Sequence, residues 1–333
     1  MQVKNVFNLP SGRIFLLETE DHSLIECTEM RDVATKGKLN EEVRNSTDPH
    51  VIWNHLVPYS EKWLLTVSTQ KGCVHKCKFC DVPTVPYKGN LSADEIREQI
   101  QFLINATPYV KTCKKVKIGF ARMGEPAHNL NNVLNVISTI KNMRHTLYFS
   151  EFTWLPCFNS ILPVKTIEGN RGEDVIQRVM YVKEAYHDGF LHFQISCNST
   201  DEEQRKQLFG GAEVLPLPTI IKEINLLKCT NRTVTLNFIV MDGIEVDPEK
   251  LLKMGISPER FTIKLIPLNQ TDNSLKNNLK TYANYATYDK LAELSEKFEK
   301  LGLPVVYDSI ARCEEAGLCC GQLARVFCNK QGV

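Results

Sequence analysis

From about residue 60 onward the chain repeats one local pattern, and that pattern fixes its fold class. A short apolar run is followed by a longer stretch with apolar residues on one helical face. Residues 63–67, 116–120, 146–157, 191–195, 234–240 and 261–266 read as six strands, rich in the β-branched and aromatic residues that suit a pleated surface. Ser92-Ala-Asp-Glu95 has the form of a capping box, and Ile96, Ile100 and Leu103 then fall on one face of a helix. Residues 132–143, 173–186 and 288–301 read as further helices. Strands alternating with helices imply a parallel sheet with right-handed crossovers. Six such units predict an α/β fold, a partial (β/α)6 barrel with its active site at the C-terminal strand ends.

The rest of the chain frames this barrel. Residues 13–17 and 23–27 are apolar runs flanking polar residues 18–22, which reads as a β-hairpin. Residues 31–50 are polar and charged and read as a linker. The expected organisation is a small β-rich extension over 1–55, a barrel over 56–304 and a C-terminal segment over 305–333.

Composition narrows the setting. With 333 residues, 24% charged and 43% hydrophobic, the chain is ordinary for one large globular unit. Twelve cysteines in this length fall short of the density of a secreted disulfide scaffold. The N-terminal Met-Gln-Val-Lys-Asn-Val-Phe lacks a signal-peptide pattern, and no apolar run approaches the roughly 20 residues of a membrane helix. A reducing, cytoplasmic location is expected, with no membrane partner. The net charge is +1 and the pI about 7.5, so global charge gives no support to nucleic-acid binding. Lys111, Lys114, Lys115 and Lys117 form the best basic patch and read as a solvated strand edge.

The first strand runs into Gly72-Cys-Val-His-Lys-Cys-Lys-Phe-Cys80. Its C-x3-C-x2-C spacing offers Cys73, Cys77 and Cys80 as thiolate ligands, one fewer than the irons of a 4Fe–4S cubane. An iron without a protein ligand is open to a small chelator, as a catalytic zinc keeps an open position. A structural zinc site is the competing reading. His75, inside the loop, reads as a solvated residue. Cys313, Cys319, Cys320 and Cys328 could form an auxiliary cluster, but adjacent cysteines suit one cluster poorly.

The cysteine loop resembles that of the radical S-adenosylmethionine (radical-SAM) superfamily, in which the open iron holds SAM and the reduced cluster cleaves it. Further segments, in order, are similar to one branch: residues 67–73, Lys88-Gly-Asn-Leu-Ser92, Met123-Gly-Glu-Pro-Ala-His-Asn-Leu-Asn-Asn132, Ile266-Pro-Leu-Asn269 and Cys320-Gly-Gln-Leu-Ala324. That branch is the dual-specificity adenine methyltransferases of ribosomal and transfer RNA, with the related antibiotic-resistance methylases. The resemblance covers roughly residues 57 to 325. It implies a 4Fe–4S cluster on Cys73, Cys77 and Cys80, and SAM as cofactor. It implies that Phe79 packs beside the SAM adenine and that Gly124 and Glu125 receive its amino group. Ser196 and Asn269 would contact its ribose and methionine parts. Cys320 would carry a methyl group to an electron-poor adenine carbon, splitting one difficult step into easier ones. An electron donor such as flavodoxin or ferredoxin would reduce the cluster.

One position departs from that pattern. The branch has a second thiol seven residues before the first cluster cysteine, where this chain has Thr66. A hydroxyl cannot form the disulfide that releases product there. Cys157, Cys197, Cys313, Cys319 and Cys328 are substitutes by count alone. The alternative is a radical-SAM enzyme that acts directly on a nucleotide, peptide or small molecule without methylation.

Overall fold

The computed structural model describes residues 1–32, 55–146, 153–284, 287–307, 321 and 323–326. Among these, ten strands form one sheet whose neighbours follow chain order. Strands β1 (Gln2–Leu9), β2 (Gly12–Glu18) and β3 (Leu24–Arg31) are an antiparallel meander. β3 pairs antiparallel with β4 (Trp63–Thr66). From β4 the sheet is parallel through β5 (Lys115–Gly119), β6 (Thr153–Ser160), β7 (His192–Ser196), β8 (Val234–Val240), β9 (Phe261–Pro267) and β10 (Val305–Tyr307).

The expected hairpin is the β2–β3 pair, and β1 is a strand the sequence reading did not contain. Half of the apolar signal of β1 faces water, with Val3 41% and Val6 39% exposed, so its period-2 pattern does not stand out. The third parallel strand starts at Thr153 rather than 146, and residues 147–152 lie outside the described set. β10 adds a short seventh parallel strand.

Helices α1 (Ala93–Asn105), α2 (Leu130–Thr139), α3 (Gly172–His187), α5 (Leu217–Leu226), α6 (Pro248–Lys253) and α8 (Tyr288–Lys300) pack on the core side of the parallel strands, while the short α4 (Glu202–Leu208) and α7 (Asp272–Lys276) lie beside the loop after β4. The capping box of α1 forms as expected: Glu95 N donates to Ser92 Oγ (3.1 Å) and Ser92 N to Glu95 Oε2 (2.8 Å). Ile96, Ile100 and Leu103 are fully buried in one core with Trp63 and Leu65 of β4, Val116 and Ile118 of β5, and Phe193 and Ile195 of β7. Burying each such side chain stabilises the fold by about 1.5–3 kcal/mol. The alternate residues of the same strands, among them Leu64, Lys117, His192, Thr235 and Lys264, turn to the other face and line a common cavity. That face is the concave interior of the barrel, and it is polar.

Candidate active site

The cysteine loop leaves β4 at the C-terminal end of the parallel strands. Thr69 N and Gln70 N both donate to Met123 O (2.8 and 3.2 Å), which ties its start to the segment after β5. Cys73, Cys77 and Cys80 are each half-buried, and Cys73 and Cys80 pack in one small apolar cluster with Val82, Met123 and Ala324. The loop's carbonyls are held from α7. Asn273 Nδ2 donates to Cys77 O (3.0 Å) and Cys80 O (2.9 Å), and Thr271 Oγ1 donates to Phe79 O (3.1 Å). Burial pushes the Cys77 thiol up, and the neighbouring Cys73 adds to this. A cationic iron reverses that preference, since a coordinating thiol is deprotonated outright. Among the described residues no three His, Cys, Asp or Glu side chains gather on one ion. A cubane takes each thiolate on a different iron, so ligands spread around it rather than meeting at a point. The three thiols on one pinned loop fit that group.

Gly124 and Glu125 sit directly behind the loop. Gly124 has φ +96°, and a Cβ there would lie 2.5 Å from the Gln70 side chain and 2.8 Å from its backbone nitrogen. Glycine is therefore what lets Glu125 N reach Gln70 Oε1 at 2.9 Å. The Glu125 side chain caps the short turn Pro126–Asn129, accepting from Ala127 N (3.0 Å). It also accepts from Ser160 Oγ (2.5 Å) and Ile161 N (3.1 Å). Burial raises its pKa to about 7 against these three donors. A carboxylate has about four acceptor positions, so one remains for an ammonium.

The other expected contacts lie on the following strands. Ser196 is the last residue of β7 and stands in register with Asn237 of β8. Asn269, just beyond β9, has a buried Oδ1 with no partner among the described residues. Two further amides, missed by the sequence reading, share this property: Asn198 Nδ2 and Asn237 Oδ1. Buried polar atoms are ordinarily paired, so these three orphans at successive strands are the chemistry a polar cofactor would satisfy. Phe79 packs against Leu208, Met241 and Leu268 and lies edge-on to Phe209 at 6.1 Å.

Cys320 lies outside the described residues, as do Cys313, Cys319 and Cys328, but the residues that follow Cys320 are anchored. The Glu26 carboxylate, fully buried on β3, accepts from Gly321 N (3.1 Å), Leu323 N (3.0 Å) and Ala324 N (2.8 Å). Arg122 Nη2 holds the same carboxylate at 2.7 Å. Gly321, at φ +82°, lies so close to Val82 that a Cβ would fall 2.6 Å from its backbone. Arg325 pairs with Asp272 of α7. The segment after Cys320 is thus latched beside the cysteine loop. No sequence signal announces Glu26 or Arg122.

Two sequence expectations change, those for His75 and Lys117. His75 is not solvated: its ring stacks on His128 (4.7 Å between centroids) with the two Nε2 atoms 2.8 Å apart. Ile167 N donates to His128 Nδ1 (3.1 Å), so His128 carries its proton on Nε2 and donates to His75. Of the lysine patch, Lys111, Lys114 and Lys115 are exposed, but Lys117 turns inside the barrel. Thr66 spends its hydroxyl on Thr28 across the β3–β4 pair. Cys157 shares the interior row of Thr66, with Gly119 between them, while Cys197 is fully buried in the main core.

Comparison with known proteins gives the class first. A crystal structure of a radical SAM methyltransferase from Sphaerobacter thermophilus superposes with a TM-score of 0.62 at 17% identity, covering 96% of this chain and 80% of that one. The chain shares that protein's fold. No family model matches the chain.

In sequence, the chain resembles the dual-specificity RNA methyltransferase branch. It is 25% identical over 281 residues (83% of this chain, 70% of the relative) to a probable dual-specificity RNA methyltransferase RlmN of Leptospira interrogans. It is 27% identical over 212 residues to the Chlorobium chlorochromatii protein of the same name, spanning 53% of that relative's length. It is 25% identical over 280 residues to a ribosomal RNA large subunit methyltransferase Cfr of Lachnoclostridium phytofermentans, covering 71% of it.

Proposed function

We propose that the protein is a radical-SAM methyltransferase that transfers a methyl group to an adenine carbon of RNA or a related heterocycle, with Cys320 as the methyl carrier. The observation that carries this reading is the Glu26–Arg122 latch, which fixes the residues after Cys320 against the turn that follows Cys80. A carrier thiol must be presented to the cofactor, and a segment anchored this way serves presentation.

In this reading Cys73, Cys77 and Cys80 hold a 4Fe–4S cluster, which supplies the electron for reductive cleavage of SAM. Glu125 receives the SAM ammonium at its remaining acceptor position, and Gly124 lets the backbone turn that sets Glu125 in place. Ser196 and Asn269 orient the ribose and methionine parts, and Phe79 flanks the adenine. Asn273 and Thr271 hold the cysteine loop by its carbonyls. A flavodoxin or ferredoxin is the electron donor and the cytoplasm, where thiols stay reduced, is the location. Among the described residues no helix is long and apolar enough to cross a membrane.

The test is peptide mass spectrometry on anaerobically reconstituted protein after incubation with methyl-labelled SAM. The reading expects label on the peptide holding Cys320, and loss of methyl transfer in Cys320→Ala with cluster content unchanged. An unlabelled Cys320 alongside reductant-dependent deoxyadenosine formation would replace it with direct radical chemistry, the outcome to which the hydroxyl of Thr66 in place of a thiol points.

A further inference from the structure

The second half of the cysteine loop is held by the short helices beside it. Asn273 takes the carbonyls of Cys77 and Cys80, and Lys78 N donates to Leu208 O (2.8 Å). The first half, which carries Cys73, is held differently. Lys71 O accepts from Lys88 N (2.9 Å) where the loop begins. His75, midway between Cys73 and Cys77, then ties this limb to His128.

His128 is buried and pinned at three points. Its carbonyl accepts from Asn90 Nδ2 (2.7 Å), its amide donates to Glu125 O (3.0 Å) and its Nδ1 accepts from Ile167 N (3.1 Å). Asn90 Oδ1 in turn accepts from Gln70 Nε2 (2.7 Å), and Gln70 Oε1 accepts from Glu125 N (2.9 Å). One polar net thus joins His128 to the backbone of Glu125. The link to His75 runs one way. An imidazole nitrogen that accepts carries no proton, so the His128 proton sits on Nε2 and is donated to His75 Nε2. His75 serves as an acceptor, a role that an apolar side chain of similar size cannot fill.

Two hydrocarbon side chains would fill this space without desolvating a polar group, whereas imidazoles are costly to bury unless hydrogen-bonded. What the imidazoles add is a directed bond between two separate segments. One segment carries Cys73 and the other carries Glu125. A site assembled from several segments works best when their side chains are fixed before the ligand arrives. We propose that His75 and His128 are positioning residues that hold Cys73 at a set place relative to Glu125, so that the cluster and the SAM ammonium are received in fixed relation. The inference rests on the reading of Cys73 as a cluster ligand and of Glu125 as the ammonium acceptor.

The test compares the parent with His75→Gln and His75→Leu as full chains, both cluster-free and anaerobically cluster-loaded. Glutamine Oε1 can accept from His128 Nε2, and leucine cannot. In the cluster-free chain, amide hydrogen exchange over residues 73–76 should be about fivefold faster in His75→Leu, as one lost hydrogen bond implies, and parental in His75→Gln. In the loaded chain, His75→Leu should bind SAM about three- to tenfold more weakly. SAM should also shift the EPR spectrum of its reduced cluster less than it shifts the parent's, while His75→Gln matches the parent in both. Parental exchange and SAM affinity in His75→Leu would overturn the proposal. So would His75→Gln as impaired as His75→Leu, since acceptance of the His128 proton would then not be what matters. A parent whose cluster does not respond to SAM would sink the cofactor reading and this role with it, and the exchange measurement, which needs no cofactor, tells that failure from failure of the His75–His128 link.

Discussion

At the scale of single residues, the candidate site depends on polar atoms left open and on one backbone turn. Asn269 Oδ1 is buried without a partner. Removing it should cost the apo fold little, because truncation deletes an unsatisfied atom rather than a bond. Asn269→Ala is therefore expected to keep the parent's melting temperature while SAM affinity falls by about three- to tenfold, the worth of one hydrogen bond. Equilibrium dialysis with labelled SAM checks this, and unchanged affinity would remove Asn269 from the site. Gly124→Ala should behave in the opposite way. At φ +96° with Gln70 at 2.5 Å, the added methyl costs about 1–3 kcal/mol in strain, visible in denaturant melts, and displaces Glu125. The cysteine spacing and the Gly-Glu-Pro run were legible because they are local. The His75–His128 pair was not, because its members stand 53 positions apart and neither has a spacing partner of its own.

At the scale of elements, the longest helices were legible and the shortest were not, while the ten-residue α5 and the eight-residue β1 also escaped. Helices α1, α3 and α8 run 13, 16 and 13 residues, enough for a 3.6-residue period to repeat. Helices α4, α6 and α7 span only 7, 6 and 5 residues, less than two turns, so no periodic signal exists to read. Yet α7 is the element that holds the carbonyls of Cys77 and Cys80. The latch is likewise a property of assembled elements. Breaking one partner of a buried ion pair costs about 3–5 kcal/mol. Glu26→Gln and Arg122→Met should each lose stability on that order. Glu26→Gln should in addition speed amide hydrogen exchange at Gly321, Leu323 and Ala324. Unaltered exchange at these three amides would refute the latch. If the methyl-carrier reading holds, Glu26→Gln should lower label on Cys320 more than it lowers deoxyadenosine formation.

At the scale of the whole molecule, the parallel α/β class was legible because alternating strands and helices recur along the chain. The polar barrel interior was not, since Lys117 read as part of a solvated strand edge and nothing in the sequence marked Asn237 or Lys264 as facing inward. Burying histidines has a global consequence. Burial lowers the pKa of His128 to about 4, lowers that of His187, and with nearby cations lowers that of His192 well below 6.5. The folded state keeps these rings neutral while the unfolded chain takes up protons near pH 6.5. Stability should therefore be full above 6.5 and fall as pH drops from there toward about 4, by up to about 3 kcal/mol from His128 alone. Denaturant melts across this window test it, and His128→Phe should flatten the slope. The latch also imposes an order in time. Glu26 and the amide of Gly321 are 295 positions apart, so during synthesis the carboxylate is made early and its donors very late. The sheet, the cysteine loop and Arg122 can all assemble first. A growing chain thus passes through a stage in which the cysteine loop and Glu26 are made and the three amides that will cap that carboxylate are not.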